Sequence, residues 1–123
     1  MYNKTEICSC QVTGCENKKY TYRYFLLEGT VNVEVEGEYI KIPSYGIETI
    51  SEEIIDGKIV SIDGDSIGCV SSIKNRVMEL IELLRINSVS PVHLIDVIGA
   101  YADYWVEDFD NEAKSILKAS ILA

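Results

Sequence analysis

Four cysteines and one histidine carry most of the reactive side chains in this 123-residue chain. Cys8, Cys10 and Cys15 form C-x-C-x4-C near the N-terminus, and Cys69 stands alone mid-chain. Thiolates this close together in a reducing compartment act as metal ligands more often than as disulfides. A tetrahedral zinc site needs four N or S donors, which Cys8, Cys10 and Cys15 can supply with Cys69 or His93 as the fourth. The competing reading is a thiol-bearing tail without metal, with Cys69 as a small core residue. A nucleophilic alternative pairs Cys69 with His93 and Asp96, giving a small cysteine-dependent hydrolase or redox enzyme. No nucleophile motif surrounds Cys69, and nothing in the sequence marks an oxyanion hole.

Other chemistries find less support. Neither G-x-x-x-x-G-K-[ST] nor G-x-G-x-x-G occurs, so phosphate-cradling loops are not expected. Asp63-Gly64-Asp65 starts like a calcium loop, but Ile67 and Cys69 stand where further oxygen ligands belong, and it reads as a turn. Tyr20, Tyr22 and Tyr24 make a ladder that can stack bases or meet a protein. The charge decides against bases. The chain carries 20 acidic and 11 basic residues, a net charge of −9, and residues 28–66 concentrate the negative side chains. Nucleic-acid binding rests on Lys and Arg displacing counterions, so neither nucleic acid nor an anionic membrane is an expected partner.

The elements that must position these residues follow from periodicity. Tyr20–Leu27 alternates in period two, as do Thr30–Glu36 with Val31, Val33 and Val35 on one side, and Glu38–Ile42 after the Glu36-Gly37 turn. Pro43 is expected to stop that ladder. A further strand spans about residues 45–55, and Asp56-Gly57 is the strongest hairpin signal before Lys58–Asp63 returns. Short turns leave no room for crossover helices, so four to five strands form an antiparallel meander over about residues 20–63. From residue 72 the period becomes helical. Ile73, Val77, Leu80, Ile81 and Leu84 share a stripe to about residue 87, with Ser71 or Ser72 as cap. Ser90-Pro91 restarts a helix to about residue 105, with Pro91 at the first helical position. Asp110 is expected to cap a last helix to about residue 122, with Ala113, Ile116, Leu117 and Ile121 inward. The expected fold is α+β: a meander followed by two to three helices packed on one face. Residues 1–18, without periodicity, read as a flexible tail, and 19–123 as one domain.

The segment Val77–Ile98, with Asn87-Ser88-Val89-Ser90-Pro91-Val92-His93 at its centre, resembles a family of short proteins of unknown function from clostridial-type anaerobes. Tyr22–Glu28 and Tyr45-Gly46-Ile47-Glu48 are similar to its early strands, so the resemblance covers about residues 20–105. Gly99 departs from the larger, acidic residue expected there. The resemblance implies a cytosolic protein with reduced thiols and supplies no catalytic residues. His93 and Pro91 then read as structural, a helix stop and Pro-led restart with His93 fixing the junction.

The resulting expectation is a non-enzymatic interaction or regulatory module, acidic and cytoplasmic. No apolar run is long enough to span a bilayer, and the N-terminus reaches Cys8 without a signal-like stretch. Its partner is a protein, met through Tyr101, Tyr104 and Trp105 of the second helix or through the tyrosine ladder, or a second copy of the chain, met through the second helix or an exposed sheet edge. The alternatives are zinc held by Cys8, Cys10, Cys15 and Cys69, and the cysteine enzyme.

Overall fold

A computed structural model describes residues 3–122, with side chains described as far as Ala119. Four strands, β1 (Asn3–Thr13), β2 (Lys19–Val35), β3 (Glu38–Ile55) and β4 (Lys58–Ser71), precede α1 (Lys74–Ile86), α2 (Pro91–Tyr104) and α3 (Glu107–Leu122). The sheet is antiparallel throughout, in the order β1-β2-β3-β4. Only Trp105 and Val106 separate α2 from α3, so the two make one bent helix. The α+β meander is therefore as the sequence implies.

Residues 3–13, expected in a flexible tail, instead form β1. They pair with Lys19–Glu28 of β2, with Cys8 opposite Tyr24 and Cys10 opposite Tyr22 after an irregularity at Ile7. Cross-strand hydrogen bonding supplies the order that weak alternation conceals. A turn at Cys15–Asn17, with Glu16 and Asn17 in the left-handed region, reverses the chain into β2.

Both expected hairpin turns are present. Glu36 (φ 53°) and Gly37 (φ 81°), then Asp56 (φ 51°) and Gly57 (φ 77°), supply the paired positive φ values that match strand twist. Gly29 and Pro43 do not interrupt their strands: β2 and β3 are continuous, with Thr30 opposite Pro43. Proline fits here because β4 ends opposite Tyr45, leaving β3 beyond that point with a partner on one side only. Gly46 has a different cause. A Cβ there would lie 2.5 Å from the Gly68 carbonyl oxygen and against that of Ile67, because β4 shifts register and crosses close to β3. The Ser44 hydroxyl donates to the same Gly68 carbonyl at 3.3 Å.

Two cores result. Tyr24, Leu26, Ile47 and Val70 of the sheet pack under Val77, Leu80, Ile81 and Leu84 of α1 and Leu94 and Ile98 of α2. Phe109 and Ala113 of α3 pack with Val35 and Ile42, and Val31, Val33, Ile40 and Leu117 join them. The second core uses odd-numbered positions of β2 whereas the first uses even ones. No irregularity intervenes between β2 and β3, so α3 rests on the alternate set of side chains from α1 and α2. It begins three residues before the expected Asp110, and Ile121 lies outside the described side chains.

On the sheet side turned away from α1, charge is laid across strands: Arg23 donates to Glu52 at 2.6 Å and reaches Glu6 at 3.3 Å. Lys4 pairs with Glu48 and sits 4.6 Å above the Phe25 ring. At the start of α1, Ser71 belongs to β4 and neither serine occupies the cap position, which is Ile73. The Ser71 oxygen accepts from the Ile73 N–H at 3.0 Å and donates to Asp108, which also accepts from Arg76 at 2.6 Å. This network ties the first turn of α3 to the β4–α1 junction.

Candidate functional site

The cysteines are distributed by the sheet rather than gathered. Alternation turns Cys8 and Cys10 of β1 toward α1, where both pack half-buried against the larger core. Cys15 is exposed in the turn, and Cys69 is exposed on β4, at the opposite edge of the sheet from β1. Two strands thus separate Cys69 from Cys8 and Cys10, about 4.8 Å per strand step. Among the described residues no three of His, Cys, Asp and Glu gather as a metal site. The four-ligand zinc set expected from Cys8, Cys10, Cys15 and Cys69 is not assembled. Burial, and next the Glu82 carboxylate, push the Cys8 thiol above its ordinary pKa, which works against the thiolate that metal binding or nucleophilic attack requires.

The enzyme trio is likewise dispersed. Cys69 lines a cleft of about 270 Å³ with Val31, Ala102, Val106 and Phe109. Ala102 lies nine residues along α2 from His93, about 13 Å at 1.5 Å per residue, beyond the reach of a base that must hydrogen-bond its nucleophile. His93 is exposed, 3.9 Å from Asp96, so its ring does not fix the helix hairpin as expected. Its backbone N–H donates to Ser90 at 3.0 Å, with Pro91 buried at the first helical position.

The residue that does fix this hairpin is Tyr24, fully buried, whose hydroxyl donates to the Val89 carbonyl at 2.8 Å. Cys10 Sγ stands 3.8 Å from both the Tyr24 hydroxyl and Ser88 Oγ, and Ser88 adopts the left-handed φ of 50° that closes the turn. Burial first, then the Cys10 contact, hold the Tyr24 phenol far above its ordinary pKa. The tyrosine ladder is therefore not an open platform. Tyr24 is core, and Tyr22 and Tyr20 are half-buried beside it with ring centroids 6.4 Å apart. In the sequence, only the alternation that puts tyrosine in step with Leu26 pointed to this.

The second helix carries the remaining candidates. One side of α2 buries Pro91, Leu94 and Ile98, leaving Val92, Ile95 and Tyr104 on the surface. Tyr101 and Trp105, with ring centroids 5.4 Å apart, line a shallow groove of about 370 Å³ with Ala100 and Tyr104. Trp105 is half-buried and lies 5.3 Å from the Arg76 guanidinium, whereas Tyr104 is 81% exposed. Tyr101, Tyr104 and Trp105, grouped as anchors from the sequence, lie on one surface at the α2–α3 bend.

A family of unknown function (DUF6514) matches residues 3–104. The chain belongs to that family. Its span takes in β1 and both cysteines under α1, a wider match than the resemblance over residues 20–105 implied, and it ends where α2 ends. The α3 helix lies beyond it. No match is found among curated proteins or among solved structures. No helix among the described residues is long and apolar enough to cross a membrane.

Proposed function

We propose that this protein is a non-enzymatic, cytosolic protein-binding module that engages its partner through the aromatic surface at the α2–α3 bend. The observation that carries the reading is Tyr104, 81% exposed beside Tyr101 and Trp105 over an open groove. Tyrosine and tryptophan contribute large contact area at small entropic cost, and they anchor protein interfaces for that reason. The groove is shallow and bordered by rigid helix, a shape suited to an apolar side chain of a partner rather than to enclosing a small substrate. The net charge of −9 favours a partner with a basic rim and disfavours nucleic acid.

Replacing Tyr104 with a photo-crosslinking phenylalanine analogue in producing cells tests this. A discrete protein adduct is expected at Tyr104 and not at Tyr39, an equally accessible control on β3 (72% exposed). Tyr104→Ala should abolish recovery of that partner while leaving thermal stability within about 0.5 kcal/mol of the parent, as for an exposed side chain. Equal labelling from both positions, or no adduct at Tyr104, would refute the reading.

A further inference from the structure

The β4 strand is a sheet edge along which a second strand can add. The sheet order leaves it with β3 on one side only, and residues 58–66 are all exposed. Ile59, Val60 and Ile62 are 51%, 54% and 61% exposed on this stretch. An edge with exposed apolar side chains and free backbone groups is a template for strand pairing. The other edge, β1, exposes no large apolar side chain, since its Ile7 and Val12 are half-buried.

The register of β4 specifies which strand fits. Ile59 pairs with Ile54, but Ser61 pairs with Glu53, so Val60 is an extra residue. That bulge puts Ile59 and Ile62 on one side of the sheet, beside Ile54 and Glu52. It puts Lys58 and Asp63 on the other, beside Ile55 and Ser51. A two-fold axis perpendicular to the sheet at Ser61, with Val60 left outside the pairing as the bulge of each copy, brings β4 of two copies together antiparallel. In that register Ile59 faces Ile62 of the second copy, and Lys58 faces its Asp63, each pair occurring twice. Both pairs stay on matching sides because of the bulge. Axes at Asp63 or Gly64 set Asp63 against Asp63 or Asp65 of the other copy, and an axis at Ile62 sets Lys58 against Asp65 but Ile59 against Gly64, giving up both Ile59–Ile62 pairs. Like charges directly opposite are destabilising and opposite charges stabilising.

We propose that the chain forms a two-fold dimer by pairing the β4 edges into one continuous eight-stranded sheet, in the register that places Lys58 against Asp63 and Ile59 against Ile62. The proposal is independent of the α2–α3 surface, which lies on the helical layer. It is tested by sedimentation equilibrium of the full chain over micromolar to millimolar concentration. Lys58→Asp and Asp63→Lys should each weaken dimerisation about tenfold, and the combined Lys58→Asp/Asp63→Lys chain should restore it. Far-UV circular dichroism and urea midpoints check that all three variants fold. A parent chain that stays monomeric to 1 mM would overturn the proposal. So would a dimer indifferent to the single reversals, or single losses that the double exchange does not repair. A dimer lost on Tyr104→Ala but kept in both reversals would assign self-association to the other surface and overturn this one too.

Discussion

Tyr24→Phe removes one oxygen atom and tests how the sheet is tied to the helical layer. The Tyr24 ring is fully buried, and its hydroxyl donates at 2.8 Å to the Val89 carbonyl in the α1–α2 connection. Phenylalanine keeps the ring packing but leaves that carbonyl without its donor. Losing one partner of a buried hydrogen bond costs about 1–3 kcal/mol, and the absence of exposure at this site places the value near ~2 kcal/mol. With a urea m-value of about 2 kcal/mol/M for a domain of this size, the midpoint falls by about 1 M at unchanged m. A second signature comes from pH. The Tyr24 phenol is held well above its ordinary value of 10, chiefly by burial. The unfolded chain therefore loses this proton first, and the folded state becomes less stable as pH rises above about 10, by up to about 1.4 kcal/mol per pH unit. Below pH 10 both states hold the proton and this contribution is flat. Tyr24→Phe should lack that part of the alkaline slope, so the stability difference between parent and variant shrinks from pH 8 to pH 11. Urea titrations of both chains at the two pH values measure it. A midpoint shift under about 0.2 M at pH 8, or parallel alkaline slopes, would refute the reasoning.

Two further perturbations probe other parts of the fold. Gly46→Ala forces a Cβ onto the Ile67 and Gly68 carbonyls, which are backbone and cannot rotate away; a loss of at least about 3 kcal/mol, read by thermal melting, is expected, and a near-neutral variant would show that β4 does not cross β3 so closely. Phe109→Ala empties the centre of the smaller core at a cost of about 3 kcal/mol. Because α3 is held by few buried side chains, hydrogen exchange should rise across residues 107–119 while α1 stays protected; uniform loss of protection would mean that the two cores unfold together.

Much of the architecture was legible from local pattern. The two turns at Glu36-Gly37 and Asp56-Gly57, the valines at 31, 33 and 35, and the stripe from Val77 to Leu84 each depend on backbone conformation or on one apolar side, which neighbouring residues already express. Residues 3–13 were not legible. Asn3 to Thr13 mixes charge, thiol and hydroxyl groups with only a weak alternation, and becomes a strand because Lys19–Glu28 of β2 offers it a partner. Pro43 misled in the same way, since whether a proline breaks a strand depends on whether a neighbour needs the N–H it lacks.

The functional residues divide along the same line. Amino-acid types and spacing alone established acidity, the candidate thiols and the aromatic run from Tyr101 to Trp105, because these are properties of composition and of one helix. Tertiary structure decided what each residue is available to do. Pairing order sent Cys69 to the edge opposite Cys8 and Cys10, helix rise carried His93 away from Cys69, and strand alternation sank Tyr24 beneath α1 while α2 left Tyr104 exposed. Proximity between distant residues is set by long-range pairing and packing, which no local spacing encodes, and chemistry depends on proximity.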